Sequence, residues 1–299
     1  MFRLAHLSDP HLGPLPDPRL VELASKRVLG YVNWRRNRAV RLTNRPLDLL
    51  VADIKAGAPD HLAVTGDLVN LALHGEFEPA ARWLATLGPV EDVSVVPGNH
   101  DAYVPGAAGR AARFWMAHMV GDGHEGGRPT FPYVRRRGPV AIIGTTSARA
   151  TGPFMATGHF SNGQSVRLAE MLHALGREGV FRVVMIHHPP LRGVTSWHKR
   201  LIGGTRFRAA IAEAGAELVL HGHTHRASIA HIPGPRGPVA VIGVPSASAV
   251  PDGRHEGARY NLFEIAGKPG AWQVAMRERG LMEPAGEIVE IASRDLAVA

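Results

Sequence analysis

Five short stretches of the sequence end in side chains that commonly bind metal ions or transfer protons. Each stretch begins with an apolar run of four to six residues and ends in a turn rich in aspartate, asparagine or histidine. The polar residues of these turns are Asp9 and His11, then Asp67, then Asn99, His100 and Asp101, then His187 and His188, and last His221, His223 and His225. The chain has no cysteine, which excludes disulfides, thiolate zinc sites and a cysteine nucleophile. Aspartate, asparagine and histidine together suit Mn²⁺, Fe or Zn²⁺.

This set of candidate ligands is larger than one metal ion requires. A tetrahedral site uses about four ligands, whereas seven or more candidates are present here. Two metal ions that share one carboxylate would use them, and ions about 3.5–4 Å apart clamp the attacking and leaving oxygens of a phosphoryl displacement. Glycine precedes Asp67, Asn99 and His223, as expected where a strand-end turn needs a positive φ or a close backbone approach. The residues therefore favour metal-assisted phosphoester chemistry.

Short buried strands must position these turns. Each apolar run has the length of a buried strand. Helix-like patterns separate the runs at 46–57, 75–87, 107–119, 164–175 and 205–214. This alternation predicts an α/β domain, in which ligands bind beyond the carboxyl ends of the strands.

The C-terminal part of the chain has a different pattern. Strand-like segments follow one another at 238–244, 259–267, 271–279 and 286–292. They predict a β-rich C-terminal part at about 238–292 that forms a second, more antiparallel sheet. We expect a single domain over residues 1–299, with two β-sheets in a sandwich and helices outside.

Five motifs, taken in order, resemble those of the calcineurin-like metallophosphoesterase superfamily. They are D-x-H (Asp9, His11), G-D (Gly66, Asp67), G-N-H-D (Gly98 to Asp101), H-x-P (His187, Pro189) and G-H-x-H (Gly222, His223, His225). The resemblance spans residues 9–225, about three-quarters of the chain, and five motifs in order are far more specific than one. It implies the family fold, a four-layer αββα sandwich of two mixed β-sheets flanked by helices.

The resemblance also implies a role for each matched residue. The implied ligands are Asp9, His11 and His225 for the first metal, Asn99, His187 and His223 for the second, and Asp67 as the bridge between them. His100 matches the histidine that contacts the phosphate and assists the leaving group, with Asp101 beside it as a second catalytic residue. The expected reaction is attack of a metal-bridging hydroxide on phosphorus, in line with the leaving group and without a covalent intermediate.

The layout of the motifs is most similar to the cyclic-nucleotide phosphodiesterase branch. A 3′,5′-cyclic nucleotide or another small phosphodiester is therefore the first expected substrate. The stretch 142–164 resembles the substrate loop of that branch and contains Arg149 and His159, two candidate contacts to phosphate or nucleotide. His188 is a candidate for substrate binding or for orienting a ligand, and His6 and His221 are expected to support the site from behind.

A basic insertion at about 15–45 departs from the plain family pattern. From Arg19 to Arg45 it has eight basic residues against one acidic residue, Glu22, although the whole chain has a net charge of only +8. Apolar residues at Leu20, Leu23 or Ala24, Val28, and Tyr31 or Val32 predict one amphipathic helix. Such a helix is compatible with a lid over the site, a contact with an anionic membrane, an interface with a second copy of the chain, or packing against the core.

Two other functions stay open. The insertion and the sequence HGHTHR (221–226) are similar to enzymes that hydrolyse the lipid-linked pyrophosphate UDP-diacylglucosamine, although those enzymes have arginine where this chain has His100. A binding protein that keeps the fold without catalysis is disfavoured by the complete ligand set. Nucleic acid is not favoured as a partner, because the basic patch is small and no groove with interleaved aromatic residues is evident.

Composition and the N-terminal segment predict a cytoplasmic protein. Hydrophobic residues make up 45% of the chain and charged residues 20%, as in an ordinary globular protein. No signal-peptide-like apolar region precedes the first strand, and no window reaches the ~18 apolar residues of a membrane span. We expect a cytoplasmic location, with a peripheral contact at the inner membrane surface through residues 19–45.

Overall fold

Two six-stranded β-sheets form the centre of the molecule. The computed structural model describes residues 1–38, 44–253 and 255–298, so residues 39–43 of the predicted insertion lie outside the described residues. The strands are β1 (Phe2–Leu7), β2 (His61–Val64), β3 (Val93–Val95), β4 (Tyr133–Arg137), β5 (Val140–Gly144), β6 (Gly158–His159), β7 (Phe181–Met185), β8 (Leu201–Ile202), β9 (Leu218–His221), β10 (Ser228–Gly234), β11 (Gly237–Gly243), β12 (Arg259–Lys268), β13 (Ala271–Leu281) and β14 (Ile288–Leu296). The strand order is β14-β13-β12-β1-β2-β3 in sheet one and β10-β11-β9-β7-β5-β4 in sheet two, and β6 pairs with β8 separately.

Both sheets combine parallel and antiparallel strands. In sheet one, β1, β2 and β3 are parallel, whereas β12, β13 and β14 follow as an antiparallel series from β1. In sheet two, β5, β7, β9 and β11 are parallel, and β4 and β10 form antiparallel edges. Every residue of β2, β7 and β9 is buried, as expected for parallel strands that are covered on both faces.

The C-terminal strands do not form a sheet of their own, in contrast to the prediction. Strand β11, in the predicted segment 238–244, joins sheet two in parallel with β9, and Ala240 pairs with Leu218. Strands β12 to β14 extend sheet one instead. Gly/Pro turns between consecutive strands indicate that these strands pair with each other. Strand β11 also pairs with the earlier strand β9, and the sequence around β11 does not show this.

Helices cover the outer faces of both sheets. They are α1 (Leu20–Leu23), α2 (Arg27–Asn33), α3 (Asn44–Ala56), α4 (His74–Leu87), α5 (Ala107–Trp115), α6 (Asn162–Arg177) and α7 (Gly204–Ala214). Helices α3, α4 and α5 contribute to an apolar core that includes residues of both sheets, and α6 and α7 pack on sheet two. This arrangement confirms the predicted αββα sandwich and the five predicted helices, although α5 ends before 119. Within the described ranges, no helix has the length and apolar composition needed to cross a membrane.

The insertion does not form the single amphipathic helix that its apolar spacing predicts. Helix α1 ends at Leu23, α2 begins at Arg27, and a π-helical turn follows at Trp34–Arg38. Ser25 lies at the break, where its hydroxyl donates to the Glu22 carbonyl at 3.1 Å and accepts from the Arg27 N–H at 3.3 Å. Such local side-chain bonds compete with a continuous helix.

The buried face of the insertion is charged rather than apolar. Glu22 and Arg27 are buried, whereas Leu20 is 88% exposed. Glu22 accepts the His74 N–H at 2.8 Å, and Arg27 Nε donates to the Leu71 carbonyl at 2.9 Å. The predicted apolar stripe therefore does not face the core, because two charged side chains bind backbone groups of the loop before α4.

The carboxyl ends of the parallel strands of the two sheets meet at one rim. The Thr65 carbonyl, after β2, accepts from His187 Nδ1, after β7, at 2.6 Å. Asp9, after β1, accepts from the His223 N–H, after β9, at 2.9 Å. These bonds join sheet one to sheet two at the position where α/β sheets bind ligands.

Candidate metal centre

The first ligand cluster consists of Asp9, His11 and His225, whose ligand atoms lie within 4.8 Å of one another. His225 Nε2 is 3.1 Å from Asp9 Oδ1 and 3.3 Å from His11 Nε2. Two imidazole nitrogens that face each other at this distance need a proton or a cation between them, because two lone pairs repel. A metal ion fits this donor set, and it is the set predicted for the first metal.

The second ligand cluster consists of Asp67, His187 and His223, again within 4.8 Å. Asn99 Oδ1 lies 3.2 Å from His187 Nε2, so the amide belongs to the same group. Asp67 Oδ2 is 3.4 Å from His187 Nε2 and 3.9 Å from His11 Nε2. One carboxylate oxygen therefore faces both clusters, as the bridging ligand of a metal pair must.

The backbone fixes the second oxygen of each carboxylate. Asp9 Oδ2 accepts the His223 N–H at 2.9 Å, and Asp67 Oδ1 accepts the His100 N–H at 2.7 Å. In both residues the other oxygen faces the histidine nitrogens. The orientation of the two carboxylates is thus set by the fold before any ion binds.

The imidazole rings are oriented in the same way. His11 and His187 donate their Nδ1 protons to backbone carbonyls 3.3 and 2.6 Å away, which directs Nε2 into the clusters. His223 Nε2 donates to the Lys199 carbonyl at 3.0 Å, so its Nδ1 is the nitrogen available to the second cluster. A ligand histidine usually has its other nitrogen held by such a partner.

Five of the seven ligands have a left-handed backbone conformation. The φ angle is +53° at Asp9, +40° at His11, +56° at Asp67, +68° at His223 and +54° at His225. Residues other than glycine rarely adopt this region, at a cost of about 1–3 kcal/mol each. The strain concentrates at the turns that follow the strands, where it brings side chains of different strands to one point. Strained positions of this kind cluster at functional sites.

The glycines that precede the ligands allow the loops to approach closely, as their positions predict. Gly66 has φ of +95°, and a Cβ there would lie 2.5 Å from Gly98 N. A Cβ on Gly222 would overlap with the Ser8 hydroxyl and the Asp9 carboxylate. A side chain at either position would push apart the loops that carry the ligands.

Burial and neighbouring charges set the protonation of the centre. Burial would raise the pKa of Asp67, but His187 and His100 hold it well below its usual range. Burial would lower the pKa of His187, but the Asp67 carboxylate more than offsets this and raises it to about 9. Burial also lowers the pKa of His223 well below its usual range. Asp67 is thus ionised and His223 neutral at pH 7, the forms that bind metal ions, whereas His187 would release a proton on binding one.

His100 lies at the mouth of the centre. Its Nδ1 donates to the Asn70 carbonyl, and its ring contacts that of His11 edge-on, with centroids 4.9 Å apart. Tyr103 stacks on it with centroids 5.4 Å apart. This position beside the first cluster fits the predicted role of His100 at the phosphate.

Asp101 does not reach the substrate side, in contrast to its predicted catalytic role. The side chain is fully buried. It accepts the backbone N–H groups of Asp67, Leu68, Val69 and Gly98 at 2.8–3.2 Å. Burial and the charge of Asp67 raise the pKa of Asp101 to about 7, while the four donors favour its ionised form. Asp101 thus positions the loop of the bridging ligand.

Three further histidines lie behind the centre. His188, a candidate for substrate binding, is buried, and its ring nitrogens bond the Ser147 hydroxyl at 2.8 Å and a backbone carbonyl at 3.0 Å. Its ring packs on that of His223 with centroids 4.2 Å apart, so His188 supports a ligand rather than binding substrate. His6 and His221 are buried too, and burial lowers their pKa values to about 3 and 4.

Two cavities open onto the ligand clusters. The first, of about 620 Å³, is lined by Asp67, Asn99, His100, His223, His225, Lys199 and Arg226 among others. The second, of about 450 Å³, lies between α2 and the loop 151–156, and its lining includes Lys26, Leu29, Trp34, Tyr103 and Phe154. Asn99 and His100 line both, so the two cavities form one cleft. The sequence pattern did not single out Tyr103, Trp34 or Lys26, and the basic composition of the insertion was a signal for Lys26 alone.

Arg149 and His159 do not lie in this cleft. Both are exposed, and neither lines either of the two cavities. Burial and the charges of Arg149 and Arg206 lower the pKa of His159, so these residues are neighbours outside the cleft. The structure therefore gives no support for the predicted contacts of Arg149 and His159 with phosphate.

Comparisons with known proteins identify the family. The family model of the calcineurin-like phosphoesterases matches residues 2–227. A dimetal phosphatase from Danio rerio has a similar structure, with a TM-score of 0.60 and 13% identity over 97% of this chain and 98% of that chain. A purple acid phosphatase from yellow lupin seeds aligns with a TM-score of 0.59 and 11% identity over 98% of this chain and 53% of that chain.

No curated relative matches the sequence. At these low identities, the structural neighbours show the fold alone, and they do not distinguish the cyclic-nucleotide branch. The family match covers about three-quarters of the chain and includes all seven candidate ligands. The protein belongs to the calcineurin-like phosphoesterase family.

Proposed function

We propose that the protein hydrolyses phosphodiesters at a centre of two metal ions, with Mn, Fe or Zn as the candidates. The observation that carries this proposal is the position of Asp67 Oδ2, 3.4 Å from His187 Nε2 and 3.9 Å from His11 Nε2. A carboxylate oxygen that faces histidines of both clusters can bind an ion in each, which is what a pair of metal ions needs from its shared ligand. When bound, paired ions activate water and neutralise charge on the phosphate.

The residues of the protein hold and orient the components of this reaction. Asp9, His11 and His225 would hold one ion, Asn99, His187 and His223 the other, and Asp67 both. His100 would assist the leaving oxygen through Nε2, because the Asn70 carbonyl engages Nδ1 and the ring lines both cavities. A positioned acid of this kind typically contributes about 10²–10⁴-fold to the rate.

The first candidate substrate is a small phosphodiester, and the motif layout favours a 3′,5′-cyclic nucleotide. The polar cavity of about 620 Å³ has the size of a site for a small organic molecule. Lys199 and Arg226 in its wall favour an anion. Nucleic acid is not proposed, because the basic patch is confined to the insertion and is small.

A lipid-linked pyrophosphate such as UDP-diacylglucosamine is the second candidate. The apolar and aromatic lining of the second cavity, with Leu29, Trp34 and Phe154, favours it. His100 in the G-N-H-D motif is the feature that disfavours it. A purely binding role is less favoured than either hydrolase, because all seven ligands are present.

The location and the macromolecular contacts are part of the proposal. We propose a cytoplasmic protein whose insertion contacts the inner membrane surface. A homo-oligomer is the competing use of the exposed apolar residues of the insertion. The single domain over residues 1–299 is part of the same proposal.

Two substitutions test the site. Asn99→Ala removes the amide oxygen near His187 and should reduce metal content and abolish release of p-nitrophenol from bis(p-nitrophenyl) phosphate. His100→Ala should leave metal content unchanged and lower kcat by about 10²–10⁴-fold. Metal content is measured by elemental analysis after purification without chelator.

His173→Ala, on the outer helix α6, is the matched control and should behave like the parent. Near-normal turnover by Asn99→Ala would reject the site, and loss of metal in His100→Ala would reject the role of His100. A panel of cyclic nucleotides, UDP-diacylglucosamine, glycerophosphodiesters and single-stranded DNA with Mn²⁺ then separates the candidate substrates. A protein with less than about one equivalent of metal and no activity with Mn²⁺ would be a binding protein.

A further inference from the structure

Lys26 of the insertion lines the cleft beside the metal centre. The cavity of about 450 Å³ has Lys26 in the wall formed by the insertion and Phe154 in the wall formed by the opposite loop. Asn99 and His100 form the end of the cavity that opens onto the ligand clusters. A ligand whose phosphate lies at the metal centre can therefore extend along this cavity toward the ammonium group.

The surroundings of the Lys26 ammonium group are neutral. Nζ lies 3.1 Å from Thr151 Oγ1 and 4.2 Å from the centroid of the Tyr103 ring. In residues 1–38, 44–253 and 255–298, no ion pair within 4.0 Å includes Lys26. The one acidic residue between Arg19 and Arg45, Glu22, accepts the N–H groups of Arg19 and His74 instead.

A half-buried cation without a counterion is costly, so its retention in a cleft points to an anionic ligand. Burial lowers the pKa of Lys26 to about 8, which leaves most of the population charged at pH 7. Lysine is a common point-charge binder of phosphate. The group lies in a cleft that shares two residues with the metal centre, which is where a substrate anion would be found.

Lys26 lies beside Tyr103 rather than among the metal ligands. Two aromatic side chains connect Lys26 to the first ligand cluster. Tyr103 is in contact with the ammonium group and stacks on His100 with centroids 5.4 Å apart, and His100 is 4.9 Å from His11. A substrate with one phosphate at the metal centre can therefore present a second anionic group to Lys26.

We propose that Lys26 determines specificity by binding a second phosphate group of the substrate. The preferred substrate is thus a phosphodiester or phosphoanhydride that has another phosphate beyond the scissile bond, with the linking group against Trp34 and Phe154. This inference rests on the proposed phosphodiesterase function, which places the phosphate that is cleaved at the metal centre. It narrows the small phosphodiesters of the proposed function to those with a second phosphate, so a simple cyclic nucleotide, which has one phosphate only, should be a weaker substrate.

Two matched chromogenic substrates test the proposal with the metal-loaded protein. Thymidine 5′-(p-nitrophenyl phosphate) with and without a 3′-phosphate has the same leaving group and differs by one anionic group. We expect the 3′-phosphate to raise kcat/KM by on the order of ten-fold or more, mainly through KM, as for a hydrogen bond to a charged group. Lys26→Met should remove this preference, so that the two thymidine substrates have similar kcat/KM values, and Lys26→Arg should retain much of it.

Arg36→Met is the control, because it removes a positive charge from an exposed position of the same insertion. Equal loss of the preference in Arg36→Met, an equal effect of Lys26→Met on both substrates, or no preference in the parent would each overturn the proposal. Lys26→Gln and a thermal melt of each variant exclude a folding defect as the cause.

A binding measurement keeps this proposal separate from the proposed function. Calorimetric titration of the metal-loaded protein with thymidine 5′-phosphate and thymidine 3′,5′-bisphosphate gives a ratio of Kd values without turnover. A Lys26-dependent ratio with no p-nitrophenol release would support the anion site and reject the hydrolase. Normal hydrolysis with a ratio of Kd values near one would support the hydrolase and reject the anion site at Lys26.

Discussion

At the scale of single residues, most of the Asp and His ligands of the centre have two polar atoms with different partners. One atom bonds to the protein backbone, and the other faces the ligand clusters. Asp9 and Asp67 each give one oxygen to a backbone N–H and the other to the clusters. His11 and His187 divide their ring nitrogens in the same way. A substitution in this centre therefore affects both the loop geometry and the affinity for metal ions.

The residue types of the centre could be predicted from the sequence, but not every role could. The spacing of the motifs identified the residues that the structure brings into two clusters. The spacing did not show that Asp101 turns inward while His100, its neighbour, faces the cleft. That difference depends on four N–H groups from two loops, and sequence order does not reveal where those groups point.

Asp101→Asn should behave as a structural substitution rather than a catalytic one. The amide would place an NH₂ group opposite backbone N–H donors and leave buried donors unpaired. We expect a loss of about 2–4 kcal/mol in the free energy of unfolding, measured by urea denaturation. Metal content should fall with it, because the loop of Asp67 loses its support.

Asp122→Asn is the matched control, since Asp122 accepts a backbone N–H of Arg136 at an exposed position. It should cost well under half as much as Asp101→Asn. If Asp101→Asn kept full stability and metal content but lowered kcat, the catalytic role first predicted for Asp101 would be restored.

At the scale of elements, the insertion shows what periodicity can and cannot predict. The prediction that the insertion is helical is confirmed, although it forms two short helices rather than one. Its orientation was not predicted correctly. Glu22 and Arg27 are buried and bind backbone groups, whereas Leu20 is exposed to solvent. Hydrophobic spacing assumes that apolar side chains face the core, and it fails where buried hydrogen bonds fix the helix instead.

The exposed face of the insertion should bind anionic membranes. Leu20 and Val21 are 88% and 77% exposed, and Arg19, Arg35 and Arg36 lie on the same short segment. At an anionic lipid surface, the burial of apolar side chains in the lipid and the attraction between basic side chains and lipid headgroups act together. We expect cosedimentation with phosphatidylglycerol vesicles at low salt, and none with phosphatidylcholine.

Charge reversal at Arg35 and Arg36 should reduce this cosedimentation several-fold, and so should Leu20→Ala with Val21→Ala. Reversal of Arg113 and Arg177, which are exposed on helices α5 and α6, should have little effect. If the parent protein does not bind anionic vesicles, or if the control reversal weakens binding equally, the insertion is not a membrane contact. Concentration-dependent dimerisation lost in Leu20→Ala with Val21→Ala would assign the surface to a second copy.

At the scale of the whole molecule, the metal centre lies on the boundary between the two sheets. Asp9 and His11 follow β1 of sheet one, and His225 follows β9 of sheet two. The αββα sandwich was predicted correctly from the resemblance that the five ordered motifs carry, whereas the alternation of strands and helices by itself indicated only an α/β domain. The assignment of β11 to sheet two was not, because it depends on a pairing with β9 rather than on the local pattern.

Because each predicted ion has ligands from both sheets, the metals should stabilise the sandwich as well as serve the reaction. A ligand that binds only the folded state at about 100 times its Kd adds roughly 2.7 kcal/mol to the free energy of unfolding. In a chain of this size that corresponds to about 4 °C in Tm. We expect Tm to fall by this amount after chelation and to recover with Mn²⁺ or Zn²⁺.

Asn99→Ala should have a lower Tm than the parent before chelation, and its Tm should change less after chelation. An unchanged Tm, with removal of the metal verified by elemental analysis, would mean that the two sheets hold the ligands in place without the ions.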